Sequence, residues 1–196
     1  MILESYVDNL NQRYTLGNAT EHTFRGDLQQ LLEAILPGIR ATNEPKRQSC
    51  GAPDYILTKK GIPIGFIEAK DIGDKDLEGK NKSSNKEQFD RYKASLANLI
   101  FTDYIDFHIY QDGVFITKIA IAEVIDNQIK PIPENFETFT NLLKNFTTHV
   151  GQSIKNSKKL AEMMAGKARL LSDVIEQALN SDEISQEDSA LKDQML

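Results

Sequence analysis

One cysteine, Cys50, stands alone in 196 residues, and tryptophan is absent. A lone cysteine excludes an internal disulfide, and no cysteine–histidine cluster suggests a zinc site. The three histidines, His22, His108 and His149, are scattered and carry no assigned role. No apolar run approaches the length of a membrane span. The opening MILESYVDNLNQRY holds acids and amides and lacks the apolar core of a signal peptide. A reducing, cytoplasmic setting is the expectation. An excess of positive charge is missing too: 23 Lys and Arg face 29 Asp and Glu, a net charge of -6. Overall charge therefore does not announce a nucleic-acid binder, and any such role would rest on local patches. No internal repeat is apparent.

What is present is ordinary for a globular chain, with 40% hydrophobic and 27% charged residues. The length suits one domain with an appended element. Residues 20–36, TEHTFRGDLQQLLEAIL, place Phe24, Leu28, Leu31, Leu32 and Ile35 at helical spacing, and Pro37-Gly38 ends the run. Glu21 opens this helix on the side of its apolar stripe, where an acid also complements the helix dipole. DYILT, KKG and IPIGFIEAK read as a hairpin. NKEQFDRYKASLANL reads as a second helix, with Phe89, Tyr92, Leu96 and Leu99 on one stripe. LIFTD and IDFHIY follow as strands, and Asp112-Gly113 turns the chain into a returning strand, VFITKIAIA. This order predicts an α/β fold: a mixed central β-sheet flanked by helices, with a carboxy-terminal helical extension. Residues 71–87 are polar and predict a loop. The expected organisation is a domain over 1–133, helices over 134–180 that pack on it or couple to a following domain, and an acidic, linker-like tail over 181–196.

The chemistry is concentrated in GAPDYILTKKGIPIGFIEAK, residues 51–70. Residues two apart in a strand face one side, so Glu68 and Lys70 point together while Ala69 points into the core. If the two strands pair through the KKG turn, Asp54 approaches Glu68. Two close carboxylates repel unless a cation lies between them, and a hard divalent ion with oxygen ligands, such as Mg2+, meets that need. Mn2+ could take its place. The Ala69 carbonyl could add a backbone ligand. The Lys70 ammonium beside such an ion can orient a water or stabilise developing negative charge, which is equipment for metal-assisted phosphodiester hydrolysis.

The pattern Pro53-Asp54 followed by Glu68-Ala69-Lys70 resembles the PD-(D/E)xK nuclease superfamily. That resemblance implies that Asp54, Glu68, Lys70 and Glu21 are catalytic, with Glu21 completing the metal site of Asp54, Glu68 and the Ala69 carbonyl. QFDRY resembles the QxxxY element of RecB-like nucleases, which implies that Gln88 and Tyr92 line the site and touch DNA, with Gln88 a supporting member of the catalytic set. Lys46 and Arg47, just before the motif, are phosphate-contact candidates, as is the lysine-rich stretch of Lys59, Lys60, Lys75, Lys80, Lys82 and Lys86. Lys46 and Arg47 read equally as a solvated loop, while the lysine-rich stretch, beside the motif, reads more as phosphate steering than as solvated surface. From Glu21 to Gly113, about half the chain, the sequence resembles the amino-terminal nuclease domains of Type ISP and Type IIG single-chain restriction-modification enzymes. The implied substrate is double-stranded DNA. The implied partners are motor, methyltransferase and target-recognition domains on the same polypeptide. No GxxxxGK[ST] phosphate loop and no NPPY occurs within these residues. Two rivals stand beside this reading: a nuclease acting on RNA or single-stranded DNA, and an inactive nuclease fold kept for docking or DNA binding.

Overall fold

Lys60 and Gly61 take φ values of 51° and 77°, the left-handed pair that lets two residues join twisted antiparallel strands. They connect β2 (Tyr55–Lys59) to β3 (Ile62–Ala69), the hairpin expected from sequence. The computed structural model describes residues 2–45, 53–78 and 84–148, without the side chains of Glu21, Ser84 and Asn85. Within it, α1 (Ile2–Tyr14) leads to a 3-10 turn (Glu21–Phe24) and α2 (Arg25–Ile35). β1 (Ile39–Asn43) precedes the hairpin, and α3 (Ser84–Ser95) follows it. Then come β4 (Asn98–Thr102), β5 (Asp106–Gln111) and β6 (Val114–Ala120). A small hairpin of β7 (Ala122–Ile125) and β8 (Gln128–Pro131) leads to α4 (Phe136–Thr148).

The six strands β1 to β6 form one sheet in sequence order. Neighbours are antiparallel except β3 and β4, which run parallel because α3 carries the chain back between them. Both faces are covered. Tyr55, Leu57, Ile67, Ala69, Ile100, Phe107 and Ile109 form one core with residues of α1, α2 and α4. Phe89 and Tyr92 of α3 and Leu96 just past its end form a second with Leu99, Phe101 and Tyr110. The inner end of β3, Ile67 to Ala69, is buried on both faces, and strands buried so read as apolar runs with little alternation. The architecture is mixed α/β with a central sheet flanked by helices, of restriction-endonuclease-like form.

Several boundaries differ from the sequence expectation. The helix expected over 20–36 begins as a 3-10 turn and becomes α-helical only at Arg25. α3 stops at Ser95, and Leu99 lies in β4, captured by pairing with Phe66. It still packs with Phe89 and Tyr92, so the stripe was a shared core rather than one helix. The expected loop over 71–87 yields to helix from Ser84. Met1–Gly151 clusters as one compact unit. The helical extension begins inside it, since Phe136, Phe139, Leu143 and Phe146 are core residues. The remaining expected helix and the acidic tail, from His149 onward, lie outside the described residues, as do Lys46, Arg47, Lys80 and Lys82. No helix among the described residues is long and apolar enough to cross a membrane.

Candidate active site

Glu68 sits between Ile67 and Ala69, and pleating sends those two into the α1–α2–α4 core. Glu68 therefore faces α3. It is 3% exposed, a burial that a carboxylate tolerates only when paired and hydrogen-bonded. The pairing is present: Lys70 Nζ lies 2.7 Å from Glu68 Oε1, as the two-residue spacing requires. Gln88 Nε2 donates to the same oxygen at 2.8 Å, and Lys70 Nζ donates to Gln88 Oε1 at 3.3 Å. One amide thus bridges anion and cation, offering its acceptor to the ammonium and its donors to the carboxylate. Tyr92, one turn on, receives a bond from Gln88 Nε2 at 3.3 Å. Its ring is buried in the second core, so it supports Gln88 from within. Lys70 stays in line because its amide donates to the Thr102 carbonyl of β4 at 2.8 Å, extending the parallel pairing past Ala69.

Asp54 precedes β2. Continuing the Tyr55–Ile67 register by one residue sets it opposite Glu68. The hairpin thus aligns the backbones of Asp54 and Glu68, while the Asp54 carboxylate itself turns to other partners. Asp54 Oδ2 accepts the Ala69 amide at 2.8 Å. Oδ1 accepts Arg25 Nη2, and Arg25 Nη1 reaches Glu44 Oε1. Arg25 is buried in the first turn of α2, and its carbonyl accepts the Tyr55 hydroxyl at 2.9 Å. Burial pushes the Tyr55 phenol far above its ordinary range, aided by Tyr104 and Tyr6, so the hydroxyl remains a donor.

Arg25 and Glu44 were not anticipated. Arg25 occupies the position three before Leu28 on the apolar stripe, and a cation at a core position was the available signal. Glu44 follows β1 in loop-like sequence and carried none. Glu21 opens the 3-10 turn, and its side chain lies outside the described residues. Lys86 is ion-paired with Asp90 at 2.9 Å, one helical turn away. His108 is buried in β5, with Nε2 3.0 Å from Asp106 Oδ2. It is separated from Glu68 by Phe101, since successive register pairs run Glu68–Phe101–His108–Lys118 across the sheet.

Among the described residues, no group of three or more His, Cys, Asp or Glu side chains is arranged to hold a metal ion. The oxygen donors on these strands are the carboxylates of Asp54 and Glu68. Their chemistry fits a small hard cation such as Mg2+, which keeps several waters and commonly takes one or two carboxylates.

No protein-family model matches the chain, and no curated protein sequence does. Among solved structures, the chain is similar in fold to a protein in a cryo-EM structure of a DrdV–DNA complex, with a TM-score of 0.57 and 20% sequence identity. The match covers 76% of this chain and 14% of that one.

Proposed function

We propose that this chain is a Mg2+-dependent DNA endonuclease domain of restriction type, hydrolysing one phosphodiester per site. The observation that carries the reading is the cluster of Glu68, Lys70 and Gln88 on the α3 side of β3, with Asp54 in register opposite Glu68. A buried carboxylate, an ammonium bonded to it and a second carboxylate across the hairpin form a costly arrangement for a purely structural sheet end. The fold neighbour solved with DNA supports a nucleic-acid substrate.

Asp54, Glu68 and the Ala69 carbonyl would hold the ion, with Glu21 a further acid of the site. Bound there, Mg2+ would supply Lewis-acid stabilisation of charge on the scissile phosphate. The protein's own groups do the rest. Lys70 presents a fixed ammonium where negative charge develops, and orients the attacking water. Gln88 holds Lys70 and Glu68 in fixed relation, so neither must reorganise during reaction. Tyr92 keeps Gln88 in place. Double-stranded DNA is the proposed substrate, and one site would nick one strand. Motor, methyltransferase and target-recognition domains of a longer polypeptide would supply grip and sequence choice.

The test is plasmid nicking with Mg2+ or Mn2+ by the wild type and by Asp54→Ala, Glu68→Ala and Lys70→Ala, paired with thermal melting. Each substitution should abolish nicking in a protein that still melts cooperatively. Full activity in any folded variant of the three would sink the assignment.

A further inference from the structure

Both oxygens of Asp54 carry protein partners: Arg25 on Oδ1 and the Ala69 amide on Oδ2. Arg25 is shared between two carboxylates, one nitrogen to Asp54 and another to Glu44. Their surroundings differ sharply. The Asp54 side chain is 12% exposed, and that of Glu44 is 68% exposed. Glu44 also has a φ of 48°, the left-handed region that side-chain-bearing residues rarely adopt. Its amide donates to the Asp54 carbonyl at 2.9 Å in that conformation. The backbone thus ties Glu44 to the residue whose cation it shares.

A divalent ion and a guanidinium drawn to one carboxylate repel each other, and the repulsion is strong where water is scarce. The guanidinium cannot escape by losing a proton, so it must move or be tolerated. Its planar fork of donors lets it release one carboxylate while keeping the other. We propose that Arg25 is a built-in counterion of the candidate metal site, neutralising Asp54 before metal binds and retreating onto Glu44 when it does. Arg25 and Glu44 are then positioning residues that set the metal affinity. The inference rests on Asp54 being a metal ligand, as proposed above. A purely structural ion pair, clamping α2 to the hairpin, would leave metal affinity indifferent to Glu44.

The test is Mn2+ titration followed by electron paramagnetic resonance on the whole chain, with no DNA present. The proteins are wild type, Arg25→Gln, Glu44→Gln, the double variant, and Asp54→Asn as the control for the site. Arg25→Gln should bind Mn2+ about tenfold more tightly, because one competing charge is gone. Glu44→Gln should bind several-fold more weakly, because the displaced guanidinium has nowhere to go. In the Arg25→Gln background the Glu44 substitution should have no further effect. If the Glu44 loss persists undiminished there, Glu44 acts only as a distant negative charge and the switch is overturned. Equal affinity of wild type and Arg25→Gln overturns it as well. Should Arg25→Gln fail to fold, Glu44→Gln at its exposed position decides alone: unchanged affinity overturns the switch. These outcomes, with Asp54→Asn abolishing binding, defeat this inference alone. Absence of Mn2+ binding by the wild type, or binding that Asp54→Asn leaves intact, defeats the metal-site reading and this inference with it.

Discussion

Asp106 stands between opposing influences. Partial burial disfavours its charge, but the His108 hydrogen bond and the charges of His108 and Lys118 outweigh that and hold the carboxyl below the usual carboxylate range. A carboxylate lowered in the folded state stabilises the protein above its unfolded-state value, and that stability drains away as pH falls through the folded value. Wild type should therefore lose more stability than Asp106→Asn as pH falls through and below the usual carboxylate range. Melting temperatures across that range would show the two curves converging toward acid, and parallel curves would remove the pairing from the account. At this scale the catalytic candidates were readable, because period-two geometry alone sets Glu68 and Lys70 on one side. Arg25 was not readable. A helix recognised by its apolar stripe gives no reason to expect a cation on it, and the carboxylates that justify the cation come from Glu44 and Asp54, distant in sequence.

Gly65 lies inside β3, where a glycine interior to a strand marks close approach by another element. A Cβ there would lie 2.5 Å from the Phe146 ring of α4. The same junction is fastened by Asn98, whose Nδ2 donates to the Ile64 carbonyl at 2.9 Å and the Phe146 carbonyl at 2.7 Å. Gly65→Ala should force α4 outward and cost about 1–3 kcal/mol of stability. Thermal melting would measure this, and Phe146→Leu in the Gly65→Ala background should restore part of the loss. No change in melting would mean that α4 yields freely. The β2–β3 hairpin and the Asp112-Gly113 turn were legible because turn chemistry and apolar runs coincide there. β1 was not, since IRATN is short and alternates polar residues like a connecting segment. The end of α3 was misjudged because LANLIF serves helix and strand patterns equally, and only pairing with β3 decides between them.

For the whole molecule, charge sets the expected behaviour toward DNA. The net charge is -6, and among the candidate lysines Lys86 is already paired with Asp90. Sequence-independent affinity grows with the number of phosphates neutralised and weakens steeply with salt. This chain should therefore bind DNA weakly at low salt, lose most of that binding near physiological salt, and nick without sequence preference. Binding isotherms and nicking at both salt concentrations would check this. Tight, sequence-specific binding at physiological salt would contradict it. The overall class was legible because helix, hairpin, helix and further strands leave few ways to cover both faces of one sheet. The β7–β8 hairpin went unseen: its Asp126-Asn127 turn adopts left-handed backbone without a glycine to signal it.

The parallel join of β3 to β4 also orders events in time. Asp54 and Glu68 are aligned by a local hairpin, which closes quickly because little chain intervenes. Lys70 is locked to Thr102, and Gln88 arrives, only after the long crossover through α3 has closed. Non-local closure of this kind is slow. The hairpin that aligns the two acids should therefore form before the β3–β4 pairing that brings Lys70 and Gln88 into place.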